Sequence, residues 1–311
     1  MKLGFLTGGL GDMPLKDKID WAYETGFEAI EVSCWPKINS RDYSACDMDV
    51  NILDETQSKE LLQYLQDREM SISSLAYYDN NLDEDLRERD SRIQHLKKVI
   101  DAAHLLNVEL VGTFVGRNKS LSLEDNFKLF KEVFSDILDY AQKRNIKIMI
   151  ENCPMPCWSN DGLAGTISYS PELWHEMFKE LPNKNFGLNF DPSHLVWLQV
   201  DYLQALKDFK DRIFHIHAKD TKLVKDKISY YSICGKQIGK SDAFDLGWVE
   251  AKIPGNGDVN WNVFFNVLKD IAYNGVVSIE HEDLEYEGSV AKLKEGIGLG
   301  KKYLDRFFPV K

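Results

Sequence analysis

Four strand-like runs in the second half of the chain each end in a side chain that can bind a metal ion or carry a proton. Successive side chains along a strand point to opposite faces. In each run one face is apolar, whereas the other face becomes polar at the carboxyl end. The polar groups at those ends are Glu151, Asp191, His217 and Glu280. If the apolar faces pack against outer helices, the four polar groups point inward, toward one place.

Three carboxylates and one imidazole in a small space favour a divalent cation. Without a cation the carboxylates would repel one another and their pKa values would rise. One nitrogen ligand among oxygen ligands suits Mn²⁺ best, with Co²⁺, Mg²⁺ or Zn²⁺ as alternatives. A simpler interpretation gives each residue its own structural ion pair or hydrogen bond. The repetition of the pattern at four consecutive strand ends favours one metal ion.

The elements that would position these groups alternate between short apolar runs and longer segments with helical periodicity. The clearest helical segment, Leu86 to Ala103, has apolar residues at intervals of 7, 3, 4 and 3. Strand and helix alternate eight times, which predicts an α/β fold, a single (β/α)8 TIM barrel. The predicted strands are Leu3–Thr7, Ala29–Ser33, Ser71–Tyr77, Leu110–Val115, Lys147–Asn152, Phe186–Asp191, Ile213–Ala218 and Val276–Glu280.

The connections differ in length at the two ends of the predicted strands. Turns from helix to strand are tight, as at Asn107 and Asn145, whereas loops from strand to helix are long. In a barrel the long loops lie on the carboxyl face, where barrel enzymes hold their active sites. The longest is an insertion between strand 7 and helix 7, at about 221–257. No linker or break in composition divides the chain, so we expect one TIM-barrel domain over residues 1–311.

Composition excludes several other classes of protein. The 311 residues include 38 basic and 50 acidic side chains, a net charge of −12. This sign disfavours phosphate backbones and anionic lipid, so we expect neither a nucleic-acid nor a membrane partner. Without a long apolar run or a signal-peptide pattern, the sequence predicts a cytoplasmic protein, and a homo-oligomer is compatible with it. Cys153 and Cys157, which flank Met155, are interpreted as packing residues.

Several segments resemble the xylose-isomerase-like barrel superfamily. That group includes sugar isomerases, ketose 3-epimerases and inosose dehydratases, and more distantly the endonuclease IV type of DNA repair enzyme. The resemblance extends over the whole chain. The segments that carry it are Glu151-Asn152, Asp191-Pro192-Ser193-His194, His215-Ile216-His217-Ala218-Lys219-Asp220, Pro254-Gly255-Asn256-Gly257-Asp258-Val259-Asn260-Trp261 and Ile279-Glu280-His281.

The resemblance implies roles for the matching residues. His194 would contact the substrate. His215 would orient a metal ligand from behind, although an ordinary buried and hydrogen-bonded histidine is an equal interpretation. The residues that would hold one divalent metal ion are Glu151, Asp191, His217 and Glu280.

Further substrate contacts are predicted near the strand ends. Aromatic rings suit the C–H faces of a sugar, and Trp35, Tyr77 and Trp158 follow strands on the expected face; each is equally suited to the core. Lys219 is a cation at the same mouth. The related dehydratases tend to place an arginine near the position of Lys222, so the resemblance assigns Lys222 to the substrate.

Together these patterns predict a metal-dependent isomerase or epimerase that acts on a keto-sugar through an enediolate, with Glu151 and Glu280 as its two bases. The same enediolate can expel a β-leaving group, so a dehydratase or lyase on an inosose or 3-keto-sugar is the alternative. A non-catalytic sugar-binding barrel would not need a complete ligand set. A three-zinc DNA repair enzyme would need histidines where strands three and four end. This chain instead has Tyr77 and Tyr78 at the end of strand three and Thr113 at the end of strand four, which disfavours such an enzyme.

Overall fold

The computed structural model describes residues 1–37, 46–158, 164–241 and 244–308. Residues 242 and 243 of the predicted insertion lie outside the described residues. The strands are β1 (Lys2–Leu6), β2 (Ala29–Ser33), β3 (Ser71–Ala76), β4 (Leu110–Thr113), β5 (Lys147–Glu151), β6 (Phe186–Phe190), β7 (Ile213–Ala218), β8 (Asp220–Leu223), β9 (Val249–Lys252) and β10 (Val276–Ile279). The α-helices are α1 (Leu15–Thr25), α2 (Glu55–Gln66), α3 (Leu86–Leu105), α4 (Leu123–Gln142), α5 (Pro171–Glu180), α6 (Pro192–Trp197), α7 (Tyr202–Asp208), α8 (Lys225–Tyr231), α9 (Trp261–Asp270) and α10 (Val290–Leu304).

Eight strands close into a parallel barrel in the order β1-β10-β7-β6-β5-β4-β3-β2. The predicted (β/α)8 barrel is therefore confirmed. Each predicted strand overlaps an observed one, and the bounds differ by at most two residues. In the barrel β5, β6, β7 and β10 are consecutive neighbours, so their carboxyl ends meet along one side of the mouth.

The core lies between the outer face of the barrel and the surrounding helices. Ile148 and Ile150 of β5 are fully buried on that face. Phe130 and Phe134 of α4 have ring centroids 5.9 Å and 6.0 Å from that of Phe186 in β6. This apolar packing supplies most of the driving force for folding and leaves the inner face free for polar side chains.

Short turns connect the helices to the next strands, as the sequence predicts. Asn107 and Asn145 adopt left-handed backbone angles, with φ of 52° and 59°. Asparagine tolerates this conformation better than most residues because its short polar side chain bonds locally. The longer connections, from strand to helix, lie at the opposite, carboxyl end of the barrel.

The insertion after β7 begins and ends in a small antiparallel sheet, which the sequence patterns did not predict. β8 pairs with β9, and α8 lies between them in the chain. Asp220 anchors the base of this sheet because its carboxylate accepts hydrogen bonds from four donors. These donors are the backbone N–H groups of Thr221, Gly255 and Val259 and the indole Nε1–H of Trp261, at 2.8–3.0 Å.

The described helices include none that is both long and apolar enough to cross a bilayer.

The inner face of β4 accommodates only a glycine beside Tyr78. A Cβ atom on Gly112 would lie 2.4 Å from the hydroxyl oxygen of Tyr78 and 2.8 Å from its Cζ. We predict that Gly112→Ala lowers the free energy of unfolding by about 1–3 kcal/mol, because neighbouring side chains must shift to relieve the overlap. Chemical denaturation measures the change.

Gly298→Ala in α10 is the matched control, because within the described residues nothing beyond the adjoining residues and backbone of its own helix lies within 4 Å of the added Cβ. It should leave stability unchanged or raise it by up to about 1 kcal/mol, since alanine is the better helix former. Equal stability of the two variants would contradict the packing of Tyr78 against β4.

Candidate metal centre

The four predicted ligands converge at the carboxyl end of the barrel. Glu151 is the last residue of β5, His217 lies in β7, and Asp191 and Glu280 directly follow β6 and β10. One ligand atom from each of the four lies within 4.8 Å of the others, and all four residues are buried. Four consecutive strands thus deliver three carboxylates and one imidazole to one point.

The imidazole of His217 is oriented by a hydrogen bond on the side away from this cluster. Its Nε2 lies 2.9 Å from Oε2 of Glu31, a fully buried residue of β2. Because a carboxylate only accepts, Nε2 carries the proton and Nδ1 keeps a free lone pair. Nδ1 faces the cluster, 3.2 Å from Oε2 of Glu280 and 3.8 Å from Oε1 of Glu151. A carboxylate that fixes the tautomer of a histidine in this way is a common feature of metal sites.

A buried hydrogen-bond chain holds Glu31 in turn. The hydroxyl of Tyr78 donates to Oε1 of Glu31 at 2.7 Å, and the side-chain amide of Asn189 donates to the Tyr78 oxygen at 2.6 Å. His215 pairs through Nδ1 with Asn189 at 3.0 Å and through Nε2 with Ser73 at 3.1 Å. His215 therefore reaches His217 through this chain of hydrogen bonds.

The backbone of Asp191 is fixed by the side chain of Asn152. The Asn152 amide donates to the Asp191 carbonyl and accepts from its N–H, each at 2.8 Å. Oδ1 of Asp191 accepts from the N–H of Ser193 at 2.7 Å, which caps α6. Only Oδ2 remains to face the cluster.

Two further nitrogen groups border the carboxylates. Nζ of the buried Lys219 lies 2.7 Å from Oε2 of Glu280 and 3.3 Å from Oδ2 of Asp191. Nε2 of His194 lies 3.3 Å from both Oε1 of Glu151 and Oδ2 of Asp191. Glu280 thus has a lysine beside it, whereas Glu151 has a histidine.

These contacts set the ionisation of the buried groups. Burial raises the pKa of Glu151, but its interactions with the neighbouring His194, His217 and Lys219 outweigh burial and hold that pKa well below its usual range. For Glu31, burial is likewise outweighed by its interactions with His217, His215 and Tyr78, and its pKa falls to about 2. Burial lowers the pKa of Lys219, but the charge of Glu280 and its acidic neighbours raises it well above its usual range. Burial also raises the pKa of Glu280, but the charge of Lys219 outweighs burial and lowers it. Glu31, Glu151 and Glu280 are therefore anionic and Lys219 is cationic at neutral pH.

The donor set fits a divalent metal ion. Within the described ranges, Asp191 Oδ2, His194 Nε2 and His217 Nδ1 are buried and have no hydrogen-bond partner. Buried polar atoms without partners are costly, and they are found where an ion or ligand binds. Three carboxylates and one neutral imidazole match the oxygen-rich preference of Mn²⁺ and related ions.

The other predicted site residues are more dispersed. Tyr77 is fully buried and packs its ring 4.6 Å from that of His95, as a core residue does. Trp35 packs against Tyr78, and Trp158 stands edge-on to Phe114 at 5.4 Å. Trp35 is buried with no hydrogen-bond partner for its indole N–H among the described residues.

Lys222 lies outside the cluster of buried groups. It forms an exposed ion pair with Asp258 at 2.7 Å, because its side chain points to the solvent side of the small β8–β9 sheet. The structure therefore does not bring Lys222 to the four ligands, although Lys219, three residues earlier, reaches them.

Sequence analysis did not predict the parts that Glu31, Tyr78, Asn152 and Asn189 play in orienting the ligands. One feature of the sequence could have identified Glu31: it is a charged residue inside the otherwise uncharged strand sequence Ala-Ile-Glu-Val-Ser. Its partner could not be predicted, since Glu31 and His217 lie 186 residues apart in the chain.

Comparison with known proteins is consistent with this architecture. Residues 19–303 match the family model described as a xylose isomerase-like TIM barrel. The chain is 34% identical to an inosose dehydratase from Clostridium perfringens over 165 residues, which cover 51% of this chain and 48% of that protein.

Two solved structures share the fold over their full lengths. A crystal structure of the IolI protein with a bound zinc atom has a TM-score of 0.72 and 20% identity, and covers 100% of both chains. A D-psicose 3-epimerase with D-tagatose, from Clostridium cellulolyticum H10, has a TM-score of 0.71 and 13% identity, also with complete coverage. At these identities the likeness shows the fold.

The hydrogen bond from His217 to Glu31 gives a prediction that is independent of activity. Glu31→Gln should weaken Mn²⁺ binding by about 10–100-fold, because the amide has one acceptor oxygen for the two donors, Tyr78 and His217, and adds no negative charge behind the ligand. Isothermal titration of chelator-treated protein measures the affinity.

The exposed Glu132→Gln in α4 is the control and should bind Mn²⁺ like the unaltered protein. Unchanged affinity in a folded Glu31→Gln protein would rule out the proposed role of Glu31 in orienting His217.

Proposed function

The chain belongs to the xylose isomerase-like TIM barrel family, and on this premise we propose that it is a metal-dependent enzyme that isomerises or epimerises a keto-sugar. The observation that carries the proposal is the placement of two anionic glutamates on the outer two of four neighbouring strands, with Asp191 and His217 between them. A carbon atom held over this cluster would have a base on either side.

The metal site consists of Glu151, Asp191, His217 and Glu280, and Mn²⁺ is the ion that we propose. When bound, a divalent ion polarises a substrate carbonyl and so acidifies the neighbouring C–H bond. The chain's own residues then determine which proton moves. One glutamate removes the proton from carbon and later releases it to solvent. The opposite glutamate first takes up a proton from solvent and then delivers it to the other face, which inverts the carbon.

The neighbours of the two glutamates differ, and this difference assigns them separate tasks. Glu151 borders His194, whose Nε2 is buried and points toward Oε1 of Glu151 and Oδ2 of Asp191. We assign His194 to hold a substrate oxygen next to Glu151. Lys219 borders Glu280 and supplies a fixed positive charge for a second substrate oxygen.

The substrate that fits is an uncharged sugar or cyclic polyol. Phe114 and Trp158 form an edge-to-face aromatic pair where the chain leaves β4 and β5. Such rings pack against the C–H faces of a sugar, while the indole N–H of Trp35 offers a donor to a hydroxyl group. We therefore propose Trp35 and Trp158 as substrate contacts, whereas the packing of Tyr77 on His95 gives it a structural role.

Dehydration is the second candidate reaction, and Lys219 is the observation that favours it. A buried ammonium group beside Glu280 can stabilise the negative charge that develops on a departing hydroxyl group. The partial similarity to an inosose dehydratase points the same way. Both reactions begin with the same proton removal, so they share the two-glutamate site and differ in the fate of the carbanion.

Proton transfer to and from a glutamate can be detected as deuterium incorporated into the product from solvent. We predict that ketoses or inososes turned over in deuterated water with Mn²⁺ gain deuterium at the carbon beside the carbonyl, because the glutamate proton exchanges with solvent. Proton NMR follows the label and the epimer together. A dehydration would appear in the same spectra as an alkene signal and in the mass spectrum as loss of water.

Protein treated with a chelator is the control and should show neither turnover nor labelling. Turnover without deuterium uptake would contradict the two-base reaction, because a direct hydride shift between carbons carries no solvent hydrogen.

The task assigned to His194 can be separated from metal binding. We predict that His194→Ala lowers kcat/KM by about tenfold or more, which corresponds to about 1.4 kcal/mol of transition-state stabilisation, and weakens Mn²⁺ binding less than Asp191→Ala does. Steady-state kinetics and metal titration of both variants make the comparison. A loss of metal affinity as large as that of Asp191→Ala would make His194 a ligand instead.

A further inference from the structure

The segment that follows Glu151 places two sulfur atoms beside the four-residue site. Cys153 and Met155 are both buried, with 5% of each residue exposed. The thiol of Cys153 donates to Sδ of Met155 at 3.3 Å. Met155 adopts a left-handed backbone angle, with φ of 45°, which is uncommon for a non-glycine residue. This strained turn brings the thioether back against the thiol.

A ring nitrogen of His194 lies close to the thiol of Cys153. One ligand atom each from Glu151, Cys153 and His194 fall within 4.8 Å of one another. His194 is 7% exposed, and its Nε2 has no hydrogen-bond partner within the described residues. Its Nδ1 receives only a long contact of 3.4 Å from the indole N–H of Trp197. A proton can therefore move to Nδ1, which frees the Nε2 lone pair, at the loss of one weak contact.

We propose that Cys153 Sγ, Met155 Sδ and His194 Nε2 form a second metal site, adjacent to the four-residue site and selective for the soft ion Cu⁺. Thiolate and thioether ligands select soft cations such as Cu⁺, whereas Mn²⁺ and Mg²⁺ prefer oxygen. The two sites therefore sort metal ions by ligand chemistry, although they lie side by side. The proposal does not depend on which reaction the enzyme catalyses.

The sulfur atoms can reach a copper ion with small movements. Two metal–sulfur bonds of about 2.3 Å at a trigonal angle place the sulfur atoms about 4.0 Å apart. The observed separation is 3.3 Å, so a modest opening suffices. Methionine is unbranched and has three rotatable side-chain bonds, which makes this movement inexpensive. On binding, Cu⁺ replaces the thiol proton, which passes to solvent, and no electron is transferred.

Occupation of this site would affect the neighbouring one through His194. That imidazole cannot hold a substrate oxygen while its Nε2 is bound to copper. Mn²⁺ would stay in place, because Cys153 and Met155 are not among its four ligands. The site therefore provides a route by which Cu⁺ inhibits the enzyme without removing its metal.

The test is an anaerobic titration of the Mn²⁺-loaded protein with Cu⁺, in competition with a chromophoric Cu⁺ chelator. We expect the unaltered protein to bind one Cu⁺ ion tightly. Met155→Leu should weaken the Cu⁺ affinity at least tenfold, since leucine keeps the volume and removes the sulfur ligand. Cys153→Ser should weaken it at least as much. Retained Mn²⁺ content and an unchanged Tm show that each variant is folded.

Two other thiols serve as controls. Cys234 is exposed, and Cys46 is a free thiol whose backbone pairs with that of Cys34 in an isolated antiparallel β-bridge. Cys234→Ser and Cys46→Ser should leave the tight ion in place. Unchanged Cu⁺ affinity in a folded Met155→Leu protein would overturn the proposal, and so would release of one Mn²⁺ for each Cu⁺ bound. If Cys153→Ser does not fold, Met155→Leu alone decides.

Discussion

Three buried carboxylates converge at the mouth of the barrel, and their mutual repulsion is the constraint on which the rest of the site depends. Two unit charges less than 5 Å apart repel by about 3–4 kcal/mol at the effective dielectric of a protein. The ligand atoms of Glu151, Asp191 and Glu280 lie within 4.8 Å of one another. Such a cluster is stable only where positive charge is held next to it, and Lys219 is positioned to supply it. A divalent ion completes the compensation.

The outward hydrogen bond of His217 determines which nitrogen atom faces this cluster. Glu31 accepts from Nε2, so the lone pair of Nδ1 is directed at the carboxylates. The residues of the hydrogen-bond chain behind Glu31 lie in or directly after four different strands. Gly112 on β4 leaves the space that Tyr78 occupies. The orientation of one imidazole thus depends on packing all around the inside of the barrel. This link explains why a small change far from the ligands is expected to affect the metal.

The sequence was sufficient to predict the barrel and the four converging groups. Both follow from the alternation of side chains along a strand, which is local and survives small errors in strand bounds. Glu31, Tyr78 and Asn189 were missed because their roles arise only when distant strands become neighbours. Lys222 was assigned by resemblance, but the unpredicted β8–β9 sheet turns it toward solvent, while Lys219 reaches the carboxylates. The roles of the aromatic residues could not be assigned from the sequence, since a position at a strand end does not distinguish Tyr77 in the core from Trp158 beside Phe114.

The central claim is that four strand ends hold one metal ion, with His217 as a ligand through Nδ1. A crystal structure of the protein grown with Mn²⁺, with anomalous scattering recorded, tests this claim most directly. We predict one strong peak bonded, at about 2.1 Å, to an oxygen of each of the three carboxylates and to His217 Nδ1. A peak bonded through His217 Nε2, a peak outside the cluster, or no peak at saturating Mn²⁺ would contradict the account.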